Sequence, residues 1–243
     1  MTRPPTPIRC CLVTVAALVA AAPAYARVDP PARGHTCVRP IAGSAAAVVV
    51  RRTTAYRRPG TTPFARFRLV NVNGFPTVFA VLEERGGRPC APRWLRVQLP
   101  QRPNGVTGWV RARDVQLVRV STRIDVDVSA RLLVLRRNGR VLLRTRAAVG
   151  ASSTPTPLGR FYVNQRLLPF DPNGAYGPAA LGVSAFSPVL KTWAQGGPIG
   201  IHGTNEPWSI GKPVSNGCVR VPNAVMRRLF RLVPAGTPVF IHA

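Results

Sequence analysis

Acidic side chains are scarce in this 243-residue chain. Asp and Glu total 8 against 34 Lys and Arg, so the formal net charge is +26, and Lys191 and Lys212 are the only lysines. Arginine in place of lysine is typical of a GC-rich genome, so part of this charge reflects composition. Outside a cell, such a surface would attract anionic wall or membrane polymers through long-range, salt-screened forces. The arginines are scattered through strand-like segments rather than clustered with aromatics, so we expect no nucleic-acid partner.

Long hydrophobic runs are also missing. The apolar stretch 10–22 is shorter than the about 20 residues that a membrane span needs. It follows Arg3 and Arg9 and precedes Ala24-Tyr25-Ala26, a small-x-small cleavage site. This order predicts a signal peptide over residues 1–26, with an uncleaved anchor as the alternative. We therefore expect a secreted, extracytoplasmic protein of the cell wall or periplasm, with no integral membrane span after cleavage.

The cysteine count is odd once the signal peptide is removed. Cleavage after residue 26 leaves 217 of the 243 residues and three cysteines, Cys37, Cys90 and Cys218. An odd number in a secreted protein predicts one free thiol beside one disulfide. Cys37 and Cys90 both precede the segment around Cys218 and can pair without it. No second Cys/His pair has the spacing of metal ligands, so we expect no metal and no cofactor.

The residues after the signal peptide divide into three segments. Residues 27–44 are Pro-rich and predicted to be extended. Residues 45–119 contain short apolar runs between Gly and Asn turns, which predict a small all-β domain; the runs are 45–50, 67–72, 78–82, 94–99 and 108–110. The segment 107–115 resembles the last strand and turn of a bacterial SH3-like domain. Such a domain would bind wall peptides or glycans, or would only position the remaining residues, 120–243.

The segment 120–243 has mainly strand patterns and one helix pattern. Ile124, Val126 and Val128 alternate with Asp125 and Asp127, which predicts a half-buried strand whose carboxylates form a solvated face beside arginines. The turn 138–139, Asn-Gly, predicts a hairpin. Residues 225–233 carry an apolar face, with 222–223 as the cap, Pro234 as the stop and a last strand over 237–241. The region 167–198 is rich in Pro, Gly and aromatics and predicts a long functional loop.

Cys218 lies in the run Ser215-Asn216-Gly217-Cys218, 16 positions after His202. A thiol becomes a useful nucleophile when a neighbouring base raises its thiolate fraction. Glycines beside it leave room for a substrate carbonyl and free backbone N–H groups for an oxyanion. His202 lies between glycines at the end of an apolar run, so the pair predicts nucleophilic acyl transfer. A buried core histidine is the alternative reading of His202 alone.

Four blocks of this chain together resemble the L,D-transpeptidase (YkuD-type) catalytic domain. They are 123–139, the Thr-Pro-x-Gly-x-Phe-like stretch within 154–163, 200–204 and the cysteine loop 215–220. The resemblance implies a mainly β fold, a YkuD-like β-sandwich or barrel with one helix, after the small all-β SH3-like module. It implies that 167–198 forms a lid over the acyl-donor groove. It also implies cross-linking of peptidoglycan stem tetrapeptides through a cysteine acyl-enzyme.

The resemblance also implies residue roles. Cys218 would be the nucleophile and His202 the base that keeps it as thiolate. The N–H groups of Gly217 and Cys218 would bind the oxyanion, and the Gly203 carbonyl would orient His202. The remaining residues assigned to substrate binding are Asn216, Ser215, Arg220 and Thr204. For Ser215 a turn-shaping role is the alternative, and for Arg220 a structural ion pair.

One position departs from the family pattern. Asn216 stands where many members have histidine before Gly-Cys. A neutral amide can hold a substrate carbonyl but cannot titrate. Asn216 supports one alternative to transpeptidation, an inactive cell-wall-binding protein. The other alternative is an L,D-carboxypeptidase that uses water as the acceptor.

Overall fold

A computed structural model describes residues 38–39, 44–86 and 92–243. The predicted signal peptide, most of the segment 27–44, and Cys37 and Cys90 of the predicted disulfide lie outside these residues. The fold is mainly β, as the sequence predicts. Within the described part, no helix is long and apolar enough to cross a bilayer.

The first sheet takes its strands from residues 38–120. They are β1 (Val38–Arg39), β2 (Ser44–Val49), β3 (Thr53–Tyr56), β4 (Pro63–Phe67), β5 (Val78–Gly86), β6 (Pro92–Gln98), β7 (Thr107–Arg111) and β8 (Val115–Val120). The order is β4-β3-β7-β6-β5-β2-β8, and β1 pairs with β5. Phe79, Leu95, Val97 and Leu99 lie at the centre of its core. The SH3-like identity of this sheet and the boundary at 119/120 stay predictions.

The strand predicted over 67–72 is wrong. β4 ends at Phe67, and Leu69, Val70 and Val72 are exposed. Asn71 explains the difference, because its Oδ1 accepts the N–H groups of Asn73 at 2.9 Å and Phe75 at 3.1 Å. These local bonds replace a strand ladder with a turn. The end of this apolar run therefore lies in a surface loop. We call residues 71–75 the Asn71–Phe75 loop.

The second sheet takes its strands from residues 122–242. They are β9 (Thr122–Asp127), β10 (Leu132–Arg137), β11 (Arg140–Arg146), β13 (Gly159–Leu167), β14 (Ala180–Phe186), β15 (Pro198–His202), β17 (Val219–Arg220) and β18 (Pro238–His242); β12 (Val149–Gly150) and β16 (Pro213–Ser215) pair separately. The order is β11-β10-β9-β18-β13-β14-β15-β17, in which β9–β18 and β15–β17 are the parallel pairs. One core cluster lies between this sheet and α1 (Asn223–Leu232).

Most local predictions for this half are confirmed. β9 buries Ile124 and Val126, and Asp125 pairs with Arg123 and Arg136, both at 3.0 Å. Asn138 and Gly139 form the hairpin turn with positive φ angles of 49° and 80°. The helix buries Met226 and Leu229.

Two local predictions are corrected. The region 167–198 is not one long loop, because the buried strand β14 runs through it. It therefore splits into two surface segments, 168–179 and 187–197. The helix cap is also different. Pro222 occupies the N-cap position without a side-chain cap, and the Asn223 side chain points to another loop.

The two sheets meet along a hydrogen-bonded seam. The buried Tyr162 hydroxyl donates to the Val78 carbonyl at 3.0 Å, and Gln98 Nε2 donates to the Arg160 carbonyl at 2.8 Å. Burial raises the pKa of Tyr162 well above its usual 10.0. Polar groups that find partners across a buried seam fix the position of both sides.

Candidate active site

Cys218 directly precedes the short strand β17, which pairs in parallel with β15. The register places Val219 opposite Ile201 and Arg220 opposite His202. The Gly200 N–H donates to the Cys218 sulfur at 3.4 Å. Strand pairing therefore brings residues 16 positions apart in sequence to one edge of the sheet. Cys218 is a free cysteine and is partly buried.

His202 ends β15 with 5% of its surface exposed. Its Nδ1 lies 2.6 Å from the Gly203 carbonyl oxygen. Because a carbonyl only accepts, Nδ1 carries the proton and Nε2 is left as the basic nitrogen. Burial lowers the pKa of His202 from 6.5 to about 4, with Arg220 adding to that effect and the Gly203 bond opposing it.

The thiol pKa moves in the opposite direction. Burial raises the pKa of Cys218 above its usual 9.0, while the Gly200 N–H and the Arg220 charge oppose this increase. A raised thiol pKa and a lowered imidazole pKa both disfavour the charged pair. These two shifts favour a neutral thiol and a neutral imidazole, and the thiolate expected from the sequence stays a prediction.

The loop before Cys218 is held by Ser215. The Ser215 hydroxyl donates to the Cys218 carbonyl at 2.6 Å and accepts the Gly217 N–H at 3.2 Å. Ser215 is buried, so its hydroxyl shapes the turn, as the alternative reading of this residue proposed. The Gly217 N–H is therefore engaged inside the loop rather than free for an oxyanion. The Cys218 N–H has no hydrogen-bond partner in the part of the chain described.

Two residues assigned to substrate binding are engaged with protein groups. Arg220 forms an ion pair with Glu206. The Thr204 N–H donates to Asn223 Oδ1 at 2.8 Å, and its hydroxyl accepts the Glu206 N–H at 2.9 Å. Arg220 and Thr204 thus brace the loop between His202 and Cys218.

Cys218, His202 and Asn216 line one groove of about 480 Å³. Tyr176, from the segment 168–179, stands over it, and its ring centroid lies 4.9 Å from that of His202 in an edge-to-face arrangement. Trp193, from the segment 187–197, also lines the groove. The structure thereby brings both segments of the predicted lid region to the candidate nucleophile. No group of three His, Cys, Asp or Glu side chains suited to a metal ion occurs in the described residues.

Three residues of the site were missed in the sequence. Asn223 was assigned to a helix cap, Tyr176 was one aromatic among several, and Glu206 was not singled out. Glu206 had a usable signal, since it is one of 8 acidic residues in the chain and lies between His202 and Cys218. The role of Asn223 had no local signal, because its partner is 19 residues away.

Comparison with known proteins relates the segment that contains this site to a protein family. Residues 121–241 match the model of the L,D-transpeptidase catalytic domain, YkuD. The match supports assignment of this segment, just under half of the chain, to the YkuD family. The match spans β9 through β18, so it includes both His202 and Cys218.

Several bacterial proteins are similar to this chain. "Putative L,D-transpeptidase YkuD" of Bacillus subtilis (strain 168) is 40% identical over 119 residues, which are 49% of this chain and 65% of the relative. "L,D-transpeptidase 1" of Mycobacterium tuberculosis (strain ATCC 25618 / H37Rv) is 24% identical over 63% of this chain and 72% of its own. The solved L,D-transpeptidase from Mycobacterium smegmatis aligns with a TM-score of 0.42 and 18% identity, over 81% of this chain and 99% of that one. The chain thus covers just under two thirds of the Bacillus relative.

Proposed function

We propose that this protein is a peptidoglycan L,D-transpeptidase that links the third residues of two stem peptides through a Cys218 acyl-enzyme. The observation that carries the proposal is the shared groove of Cys218 and His202, with the imidazole held by Gly203 so that Nε2 is the basic nitrogen. The YkuD match over the same residues supports the reaction class.

In the first step, Cys218 attacks the carbonyl of the third residue of a tetrapeptide stem. The S–C bond forms as His202 Nε2 takes the thiol proton, because neither group is charged at rest. The C–N bond to the terminal D-alanine then breaks, and the imidazolium returns the proton to the leaving amine. The Cys218 N–H is the candidate oxyanion donor, a contribution of about 3 kcal/mol.

In the second step, the side-chain amine of another stem's third residue attacks the thioester. Neutral His202 accepts a proton from this amine. As the S–C bond breaks, the imidazolium gives that proton to the leaving sulfur, which regenerates the thiol. With a pKa of about 4, the His202 imidazole is unprotonated at neutral pH and so has a free nitrogen to accept this proton. Asn216 lines the same groove and is positioned to hydrogen-bond the donor stem.

The test is incubation of the mature protein with disaccharide-tetrapeptides and product analysis by mass spectrometry. Released D-alanine together with a cross-linked dimer is the expected result. Tripeptide without dimer would indicate the carboxypeptidase, and neither product, on a folded protein, would remove the proposal. Cys218→Ala is the control, since it deletes the nucleophile.

A carbapenem provides an independent readout of the acyl-enzyme. One adduct on the intact protein is expected for the unaltered chain and for Asn216→His, and none for Cys218→Ala. Asn216→Ala should slow turnover by about tenfold to a hundredfold, the scale of one hydrogen bond to a charged group. An unaltered chain that takes no adduct while folded would favour the wall-binding alternative.

Charge and the N-terminal sequence support an extracytoplasmic location. The excess of 34 basic over 8 acidic residues would hold the enzyme near anionic wall polymers. Its binding to wall fragments should weaken as salt rises, because exposed charges are screened beyond about 10 Å at 0.1 M salt.

A further inference from the structure

A second cleft, of about 620 Å³, lies between the two sheets. It shares a boundary with the groove of Cys218, since five residues line both spaces: Asn73, Asn164, Gln165, Gln195 and Pro198. Asn164 is notable among them because its Oδ1 is buried without a hydrogen-bond partner. The two spaces are therefore neighbours that share one wall, between the groove of Cys218 and the first sheet.

The outer wall of this cleft is basic. Arg66 and Arg68 line it, and both are exposed. In the described part of the chain neither arginine has a carboxylate partner, and no acidic residue lines the cleft. A guanidinium without a partner at the mouth of a cleft favours a carboxylate-bearing or phosphate-bearing ligand.

Amide side chains fix the boundary between the two spaces. Asn71 Nδ2 donates to Gln165 Oε1 at 2.8 Å, and Gln195 Nε2 donates to Asn73 Oδ1 at 2.8 Å. Gln195 has a φ of 58°, an uncommon backbone conformation for a residue other than glycine. The Asn71–Phe75 loop thus holds a strained residue of the segment 187–197 in place, which is common at ligand sites.

The cleft wall is also tied to the first sheet by Arg102 and Asn104. Arg102 donates to the carbonyls of Ser187 and Gly196 at 2.7 and 2.6 Å. Asn104 exchanges two hydrogen bonds of 2.9 Å with the backbone of Phe186. Hydrogen bonds within the protein therefore position both walls, so binding would require little further ordering.

We infer that this cleft binds a carboxylate-bearing part of the substrate strand remote from the reacting carbonyl, through Arg66 and Arg68. The inference rests on the proposed function for the identity of the ligand. It makes the first sheet part of the substrate site rather than only a support. Remote contacts of this kind add binding energy that positions the reacting carbonyl at the nucleophile.

The test measures binding rather than turnover, in the full mature chain with Cys218→Ala as background. The probe is a disaccharide-tetrapeptide with free carboxylates, titrated by calorimetry at 0.15 M salt. Arg66→Gln with Arg68→Gln should weaken binding by about tenfold, the scale of two partly exposed charge-assisted contacts. The matched control is Arg140→Gln with Arg144→Gln, which removes the same charge from exposed positions of β11 at the far edge of the second sheet. That control should stay within about twofold.

A second probe, with its stem carboxylates amidated, should bind the Arg66/Arg68 variant and its background equally. Three results with the disaccharide-tetrapeptide would overturn the inference: no loss in the Arg66/Arg68 variant, an equal loss in the control, or no binding of the probe at all. A loss confined to a phosphate polymer would also overturn it, since it would assign the cleft to a different ligand. Carbapenem adducts on the same variants with Cys218 intact report separately on the proposed function.

Discussion

Asn223 Oδ1 accepts the N–H of Thr204 at 2.8 Å and so ties the first residue of α1 to the loop that follows His202. Gly177 and Gly203 close over the same oxygen, and a Cβ on either would overlap it. One amide therefore supports the backbone beside the proposed base. Asn223 would therefore influence the reaction by positioning His202.

Asn223→Ala should separate positioning of the base from reactivity of the nucleophile. It leaves the Thr204 N–H without a partner in a buried loop, which costs about 1 to 3 kcal/mol. We expect D-alanine release at neutral pH to fall, while alkylation of Cys218 at high pH continues. Denaturant unfolding and a pH–rate profile for alkylation measure the two effects. Arg227→Ala, at an exposed position of the same helix, should change neither.

Two glycines with positive φ provide a matched pair for the crowding around Asn223. At Gly177, φ is 62° and a Cβ would lie 2.7 Å from the Thr204 nitrogen. At Gly139, φ is 80° and nothing lies within 4 Å. Gly139→Ala should cost only the backbone strain, about 1 to 2 kcal/mol. Gly177→Ala should cost more and should reduce carbapenem acylation, which Gly139→Ala should leave unchanged; equal effects in the two variants would contradict this account.

The lowered pKa of His202 predicts a specific acid sensitivity. Below pH 6.5 the unfolded chain takes up a proton on this histidine, but the folded chain does not until about pH 4. Stability should therefore fall as the pH drops from about 6.5 to about 4, by up to about 3 kcal/mol. Urea unfolding at several pH values measures the slope.

His202→Gln is the control for this acid sensitivity. It has no titrating group, so its stability should be nearly flat over the same interval. Asp127 does not interfere with this measurement, because hydrogen bonds from Ala130 and Ser129 lower its pKa below 3.8. Its contribution to the pH dependence of stability therefore lies at more acidic pH. If the stability of His202→Gln fell with pH as steeply as that of the unaltered chain, another group would be responsible for the acid sensitivity.

Thiol counting checks the predicted disulfide between Cys37 and Cys90. Unfolded, non-reduced mature protein should show one free cysteine, at position 218. The bridge would close a loop of about 50 residues and add a few kcal/mol of stability to the first sheet. A count of three would remove the disulfide without affecting the proposed chemistry.

Local signals in the sequence predict much of this fold. The alternation of Ile124 and Val126 and the Asn138–Gly139 turn depend on near neighbours alone, and both are found as predicted. β14 was missed because its Ala, Gly and Ser residues look like a loop, although pairing with β13 and β15 buries them. The opposite error occurred at the apolar run 67–72, which was predicted as a strand but forms a loop. There the Asn71 side chain accepts hydrogen bonds from nearby backbone N–H groups.

In the candidate site, too, the features that depend on local sequence were predictable and those that depend on distant contacts were not. The residue types and spacing of Cys218 and His202 were sufficient to predict that they lie in one site. The direction of individual N–H groups was not predictable, so Gly217 was assigned to the oxyanion although its N–H turns to Ser215. The partners of Arg220 and Asn223 depend on how β15, β17 and α1 meet, which no local pattern contains.

The buried bond from Tyr162 to Val78 has a consequence for protein engineering. A fragment beginning at residue 121 would contain every residue of the YkuD match. It would nevertheless expose the Tyr162 side chain, which is buried in the whole chain. The surrounding apolar surface would be exposed with it, so such a fragment should self-associate in solution. Useful truncations of this protein would therefore keep both sheets, and chimaeras should exchange them together.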